Sequence, residues 1–170
     1  MRGLDIDFGS LFIPLEHKMT LALEHLVLDA EGRYFKPEEV DRIKTYLTTW
    51  PDRQKSYQWI RDQETPLVQE TLTLLKGDVP GLVGRILELC DHDLRLVLRQ
   101  CSLAMLLEDG DLVKERLVEW LEDQARLYDL SSTYEIALRH LQNVLKKHLP
   151  STQLEAIRPY VTQVQVALIF

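Results

Sequence analysis

A chain of 170 residues, 45% of them hydrophobic, has the size of one domain and enough apolar content to bury a continuous core without disulfide or metal staples. Its 27 acidic residues against 20 basic ones leave a net charge of −7, which argues against a nucleic-acid footprint because phosphate binding wants a basic face. With two cysteines, no signal-peptide pattern and no apolar run near the roughly 20 residues that span a bilayer, the expectation is a soluble cytoplasmic protein without a transmembrane segment.

Residues 1–13 contain Gly3 and Gly9 and no sustained period, so they read as an irregular lead-in. From Pro14, the positions Leu15, Met19, Ala22, Leu23, Leu26 and Val27 recur at helical spacing, and Gly32 ends that helix. Lys36-Pro37-Glu38-Glu39 opens a second helix with acids at the positive end of its dipole, and Trp50-Pro51 is expected to close it. Asp52 to Lys76 reads as helical and polar, with a kink or split at Pro66, and Gly77 to Gly84 punctuates the chain.

The segment Ile86–Leu107 is the longest strongly helical stretch and holds both cysteines. At about 100° per residue, Cys90, Asp93, Val97 and Cys101 fall on one stripe, a thiol followed one turn later by a carboxylate facing the same way. The two sulfurs stand roughly 16 Å apart along the axis, so no disulfide can join them. Asp109-Gly110-Asp111 makes a turn before an amphipathic helix over Leu112–Leu127. Ser131, Ser132 and Thr133 offer hydroxyl caps for a helix over Tyr134–His148, whose last turn is basic. Pro150-Ser151 starts the last helix, with a bend expected at Pro159, and the terminal Val-Gln-Val-Ala-Leu-Ile-Phe continues it. The fold class is all-α, about six to eight helices around one core in a globin-like or bundle packing.

Nothing in this pattern resembles a catalytic site. There is no glycine-rich phosphate loop, nucleophile elbow, His-Glu-x-x-His or Cys-x-x-Cys, and the expectation is a protein that is not an enzyme. The five histidines are scattered over several helices and close no four-ligand metal set. Cys101 reads as a small buried apolar residue. Asp91 and Asp93 should raise the pKa of Cys90, which disfavours a redox or hydrolytic nucleophile but leaves open an attachment point for a ligand made elsewhere.

Several motifs together resemble the phycobiliprotein (phycobilisome subunit) family. They are Cys90-x-x-Asp93, Leu98-Arg99, Ala104-Met105, Arg126-x-Tyr128-Asp129-Leu130-Ser131 and, upstream, Asp29-Ala30-Glu31-Gly32-Arg33-Tyr34. The family's own patterns are C-x-R-D, L-R, R-x-F-D-L-S and a D-x-x-G-R-[FY] turn; the likeness is to a divergent, allophycocyanin-like member. It implies a single domain over 1–170, with an N-terminal helical pair over about 14–48 and a globin-like core over about 52–170. It further implies an open-chain tetrapyrrole of the phycocyanobilin kind, bound by thioether to Cys90, with Asp93 accepting hydrogen bonds from its pyrrole N–H groups and Tyr128 and Tyr134 beside it. His92 stands where the family has a propionate-binding arginine; Arg85 and Arg95 are nearby cations, neither at the matching place.

The resemblance also implies a homodimer or a heterodimer with another phycobiliprotein subunit, in which Asp29 on the first helix and Arg99 on the central helix pair across the interface. The extra apolar residues Leu21, Leu23 and Leu28 suit such a surface. Three functions follow as expectations. The first is a pigmented subunit serving light harvesting or excitation-energy transfer. The second is a pigment-free adaptor docking on a phycobilisome or photosystem, in assembly, regulation or degradation, at the cytoplasmic face of the thylakoid membrane. The third, outside the family, is a globin-like heme sensor with His92 or His140 as ligand.

Overall fold

The computed structural model describes the backbone over residues 22–168 and side chains from residue 26. Eight α-helices follow one another there: α1 (Ala22–Asp29), α2 (Pro37–Asp62), α3 (Glu64–Asp78), α4 (Gly84–Leu107), α5 (Asp111–Val113), α6 (Glu119–Leu127), α7 (Ser131–His148) and α8 (Ser151–Leu168). A π-helical turn, Lys114–Val118, joins α5 to α6. No strand occurs among the described residues, as the all-α reading requires. The lead-in, Pro14 to Leu21 and residues 169–170, where the last helix is expected to continue, lie outside the described residues.

The first turn is built by the motif that suggested it. Gly32 adopts φ +80°, a left-handed conformation that a Cβ would strain. Arg33 then folds back, its guanidinium forked onto Glu39 at 2.7 and 2.9 Å while it also donates to the carbonyl of Asp29. Glu39 in turn accepts the backbone N–H of Lys36 at 2.7 Å, closing the start of α2.

The prolines behave differently from the sequence expectation. Pro51 lies inside α2, which runs unbroken to Asp62. A proline removes one helical hydrogen bond, and here the residue four earlier, Leu47, is 61% exposed, so water can serve the released carbonyl. The break comes instead at Gln63, where φ is −104° and ψ 8°, and Pro66 sits harmlessly in the first turn of α3, where no intrahelical donor is needed. Pro159 likewise leaves α8 continuous. The hydroxyls expected to cap the seventh helix do not: Leu130 occupies the N-cap position without a side-chain bond, and Thr133 is buried. Nor is the helix after the Asp109 turn uniform, since the π turn interrupts it.

The helix α4 is the axis of the packing. It meets α2, α3, α7 and α8, while α3 lies along α7 and α8 along both α7 and α4. One core cluster extends from Ile60 to Leu168 and includes both cysteines of α4. Each fully buried leucine or isoleucine in it, such as Leu98, Leu141 or Ile157, contributes roughly 2 kcal/mol of hydrophobic stabilisation. Two helices end in left-handed residues that are not glycine, Glu108 and Asp129, each at φ 53°. In both cases the following amide reaches back five residues, Asp109 to Ala104 and Leu130 to Ala125, at 3.0 and 2.8 Å, satisfying helix-end carbonyls in the Schellman manner.

Candidate functional site

The stripe on α4 faces the core as its period demands, with Cys90, Asp93, Val97 and Cys101 all buried. Cys90 is 0% exposed and Asp93 1%. Burial, more than the Asp93 charge, pushes the Cys90 thiol up to about 11. Burial alone raises Cys101. Both thiols are therefore poor nucleophiles at neutral pH.

A buried carboxylate needs partners, and Asp93 finds two within the chain. The hydroxyl of Tyr134, at the start of α7, donates to its Oδ2, and the ring of His92 reaches its Oδ1 at 3.0 Å through Nδ1. Burial first, and this hydrogen bond second, raise the Tyr134 phenol above its ordinary range, with a smaller contribution from Tyr128. Tyr128 itself is half-buried just past the end of α6. The His92 side chain is 68% exposed and meets the edge of Trp120, ring centroids 6.0 Å apart. His92 thus lies at the outer lip of the site and Tyr134 at its inner end.

Around Asp93 and Tyr134 the helices close. Leu94 and Val97 of α4, Leu121 of α6, Ala137 and Leu138 of α7 and Leu168 of α8 enclose a void of about 10 Å³. Sites for ligands of drug size are usually of roughly 300–1,000 Å³. That void is too small for an open-chain tetrapyrrole, and each oxygen that would receive pyrrole N–H groups already has one side-chain contact. Asp93 thus has His92 and Tyr134 against its two oxygens, with Cys90 one turn away on α4 and Tyr128 just past the end of α6.

The second predicted pair is not joined within the chain. Asp29 is exposed at the end of α1, while Arg99 is forked onto Glu64 of α3 at 2.6 and 2.7 Å. Glu64 also accepts from Arg95 at 3.2 Å, and Arg95 is anchored a second time by Asp91. These contacts hold the Glu64 carboxyl below its ordinary range, the Arg99 bond first. Arg95 is thereby engaged away from the Cys90 site, and Arg85 is exposed. Leu28 is 50% exposed; Leu21 and the side chain of Leu23 lie outside the described residues. The histidines proposed as heme ligands are otherwise engaged: His92 on Asp93, and His140 on Asp78 at 2.9 Å.

Glu64, Trp120 and Leu168 escaped the sequence reading as site residues. Trp120 had a signal, its place in the apolar period of its helix; Glu64 had none, because its partners lie more than 30 positions away.

Comparison with known proteins accords with this architecture. An allophycocyanin beta subunit from a Picosynechococcus species is 30% identical over 102 residues, covering 56% of this chain and 63% of that protein. The allophycocyanin subunit beta-18 of Aglaothamnion neglectum is 24% identical over 103 residues, with 56% and 60% covered. That of Cyanophora paradoxa is 22% identical over 138 residues, with 76% and 82% covered. Against the first two, the chain spans less than two thirds of its relative's length. No described helix is long and apolar enough to cross a membrane. The model of the phycobilisome protein family matches residues 26–168, most of the chain and all of the helices around the Cys90 stripe, and the chain belongs to that family.

Proposed function

We propose that this chain is an allophycocyanin-like subunit that works in a light-harvesting assembly through its protein contacts, in a form closed against pigment. The observation that carries this reading is the closure at Asp93, whose two oxygens are taken by Tyr134 and His92 beside a void of about 10 Å³. With a contact from the same chain on each oxygen, the buried carboxylate has less need of a guest's N–H groups, and a buried, protonated thiol is slow to alkylate. Its work is then that of an adaptor in assembly, regulation or degradation of the phycobilisome, at the cytoplasmic face of the thylakoid.

A second reading, a bilin held by Cys90 and used in energy transfer, is supported by the family and by the survival of a thiol and a carboxylate one turn apart on one stripe. It requires Tyr134 to leave Asp93 and the helices around the void to part. One experiment separates the two. The protein is produced with a bilin supply, denatured, and examined for zinc-enhanced fluorescence beside Cys90→Ser. A colourless wild type supports the closed subunit; colour that survives denaturation and vanishes in Cys90→Ser establishes the pigmented one.

Pairing with a second subunit is tested separately. Arg99 would exchange or share its Glu64 partner with an aspartate at the position of Asp29 in the other subunit, a homodimer or heterodimer contact. Asp29→Arg or Arg99→Glu should each weaken association in sedimentation, and the double reversal should restore part of it. Unchanged sedimentation of both single variants would remove these residues from the interface.

A further inference from the structure

The helix α7 lies along α3, and their seam carries two histidine–carboxylate pairs that no part of the Cys90 site uses. His140 Nε2 stands 2.9 Å from Asp78 Oδ2, and His148 Nε2 stands 2.7 Å from Glu70 Oε2. Both carboxylates belong to α3 and both rings to α7. The partners are eight residues apart on each helix, about 12 Å of rise, so the two pairs are rungs of one antiparallel seam. Between the rungs Leu72 and Leu75 of α3 and Leu141, Val144 and Leu145 of α7 are buried. The pairs are thus the polar fastenings at the two ends of an apolar contact.

Imidazole is the side chain whose charge changes near neutral pH. With a neutral ring each rung is an ordinary hydrogen bond; with a protonated ring it is a charge-assisted one, roughly twice as strong. The helix ends favour the charged form at both rungs. Asp78 is the last residue of α3 and His148 the last of α7, and the C-terminus of a helix carries a partial negative charge that opposes an anion and favours a cation. Asp78 therefore needs a cation where His140 stands, and His148 gains from being one. The Glu70 carboxyl is held below its ordinary range, by Lys147 first and His148 second, so it is an anion throughout the range in which imidazole titrates. Lys147 shares that carboxylate at 2.8 Å and repels a charged ring beside it. The His148 side chain is also 38% exposed against 14% for His140, so the Asp78 rung is the stronger of the two. Helices α4, α6 and α8 also pack on α7. Among the described residues none of them pairs a charged group with either ring: Asp93 turns to Tyr134 and His92, Asp123 to Arg126, and Glu155 to Arg158. Lys76 of α3 and Arg139 and Lys146 of α7 are exposed. We propose that the α3–α7 seam is a proton-operated latch: uptake of protons by His140 and His148 as the pH falls from about 8 to about 6 fastens α7 onto α3, and their release loosens it. The latch lies on residues other than the Cys90 stripe and works whether or not that stripe carries a pigment.

The stability that a protonated latch adds is present at low pH and lost as the pH rises. Thermal midpoints of the full chain are therefore compared at about pH 6 and about pH 8 with those of His140→Gln, His148→Gln and the double variant. Glutamine keeps a hydrogen-bonding side chain with no proton to gain. The excess of the wild-type midpoint over that of the double variant should be larger at the lower pH by roughly 2–4 °C, most of it already lost in His140→Gln alone. Hydrogen exchange of the wild type gives a readout that needs no variant. Corrected for intrinsic rates, the amides of Leu141–Leu145 should gain protection on acidification by about fivefold more than those of Leu94–Leu98 in α4. The proposal is overturned if the double variant keeps the wild-type pH dependence, or if the gain in α7 merely equals that in α4. It is overturned equally if Asp78→Asn, which leaves both rings and removes one anion, retains the full dependence.

Discussion

Asp93 and Arg53 are both charged groups buried against α4, one near its middle and one near its end, and their surroundings are opposite. Asp93 has every oxygen served by a side chain and almost no space beside it. Arg53 has its Nε 3.4 Å from Glu108 Oε1 and a cleft of about 410 Å³ next to it. The position that the family would fill with a ligand is the sealed one, and the open one lies where no motif pointed. Retention of ligand-binding residue types therefore says little about whether a ligand fits; the donors on neighbouring helices decide that.

The largest effect that sharpens this contrast is expected at Arg53. Arg53→Met leaves the carbonyls of Leu106 and Tyr46 without their charged donor, and unfolding stability should drop by about 3 kcal/mol, read as a lower urea midpoint at an unchanged slope. A loss below about 1 kcal/mol would mean that water serves those carbonyls and that the residue is less integral than its burial implies.

Next comes Tyr134→Phe, which strips Asp93 of its inner donor at a cost of about 1–3 kcal/mol. If closure is what the pair does, the double variant Tyr134→Phe with Asp93→Leu should be less destabilised than the two single variants summed, because no unpaired carboxylate remains. Additive losses would show that the two side chains act independently, and the sealed side of the comparison would fail.

The helical course was legible in the sequence because apolar residues at period 3.6 and glycine punctuation are local signals. The α4 stripe of Cys90, Asp93, Val97 and Cys101 faces inward as that period requires. Proline was over-read. Whether it breaks a helix depends on which face it occupies and on its distance from the helix start, and Pro51, Pro66 and Pro159 all lie where the lost donor is tolerated. The site was half legible. Period and motif brought Cys90, Asp93 and Tyr134 together, but the closing of the void depends on Leu121 and Leu168, whose approach is a property of helix packing that no local pattern encodes. Arg53 was invisible for the same reason, being polar in a polar stretch and buried only because α4 and α8 cross over it.

A smaller effect concerns the thiol. With Cys90 pushed up to about 11 by burial, native protein at pH 8 should react with iodoacetamide roughly a hundredfold more slowly than protein unfolded in urea, on thiolate fraction alone. Rapid labelling of Cys90 in the native state, located by mass spectrometry, would mean that the site opens readily, and it would move weight to the pigmented reading.

The smallest effect lies far from both buried charges and sets the scale for them. The fork between Arg33 and Glu39 is a turn device at the surface, and with the Lys36 amide it draws the Glu39 carboxyl down from 4.5 to about 2. A carboxyl whose folded pKa is depressed adds stability that is present above its unfolded value and lost as the pH falls through the folded one. The stability difference between wild type and Glu39→Gln should therefore be constant from neutral pH down to about 5, shrink between about 4.5 and 2, and vanish below that range. Because solvent screens the fork, the difference should stay smaller than that of Tyr134→Phe at every pH. If it proved larger, the exposed turn and not the buried carboxylate would be the stronger electrostatic tie in this chain, and the reading of Asp93 as the chain's better-satisfied charge would have to be given up.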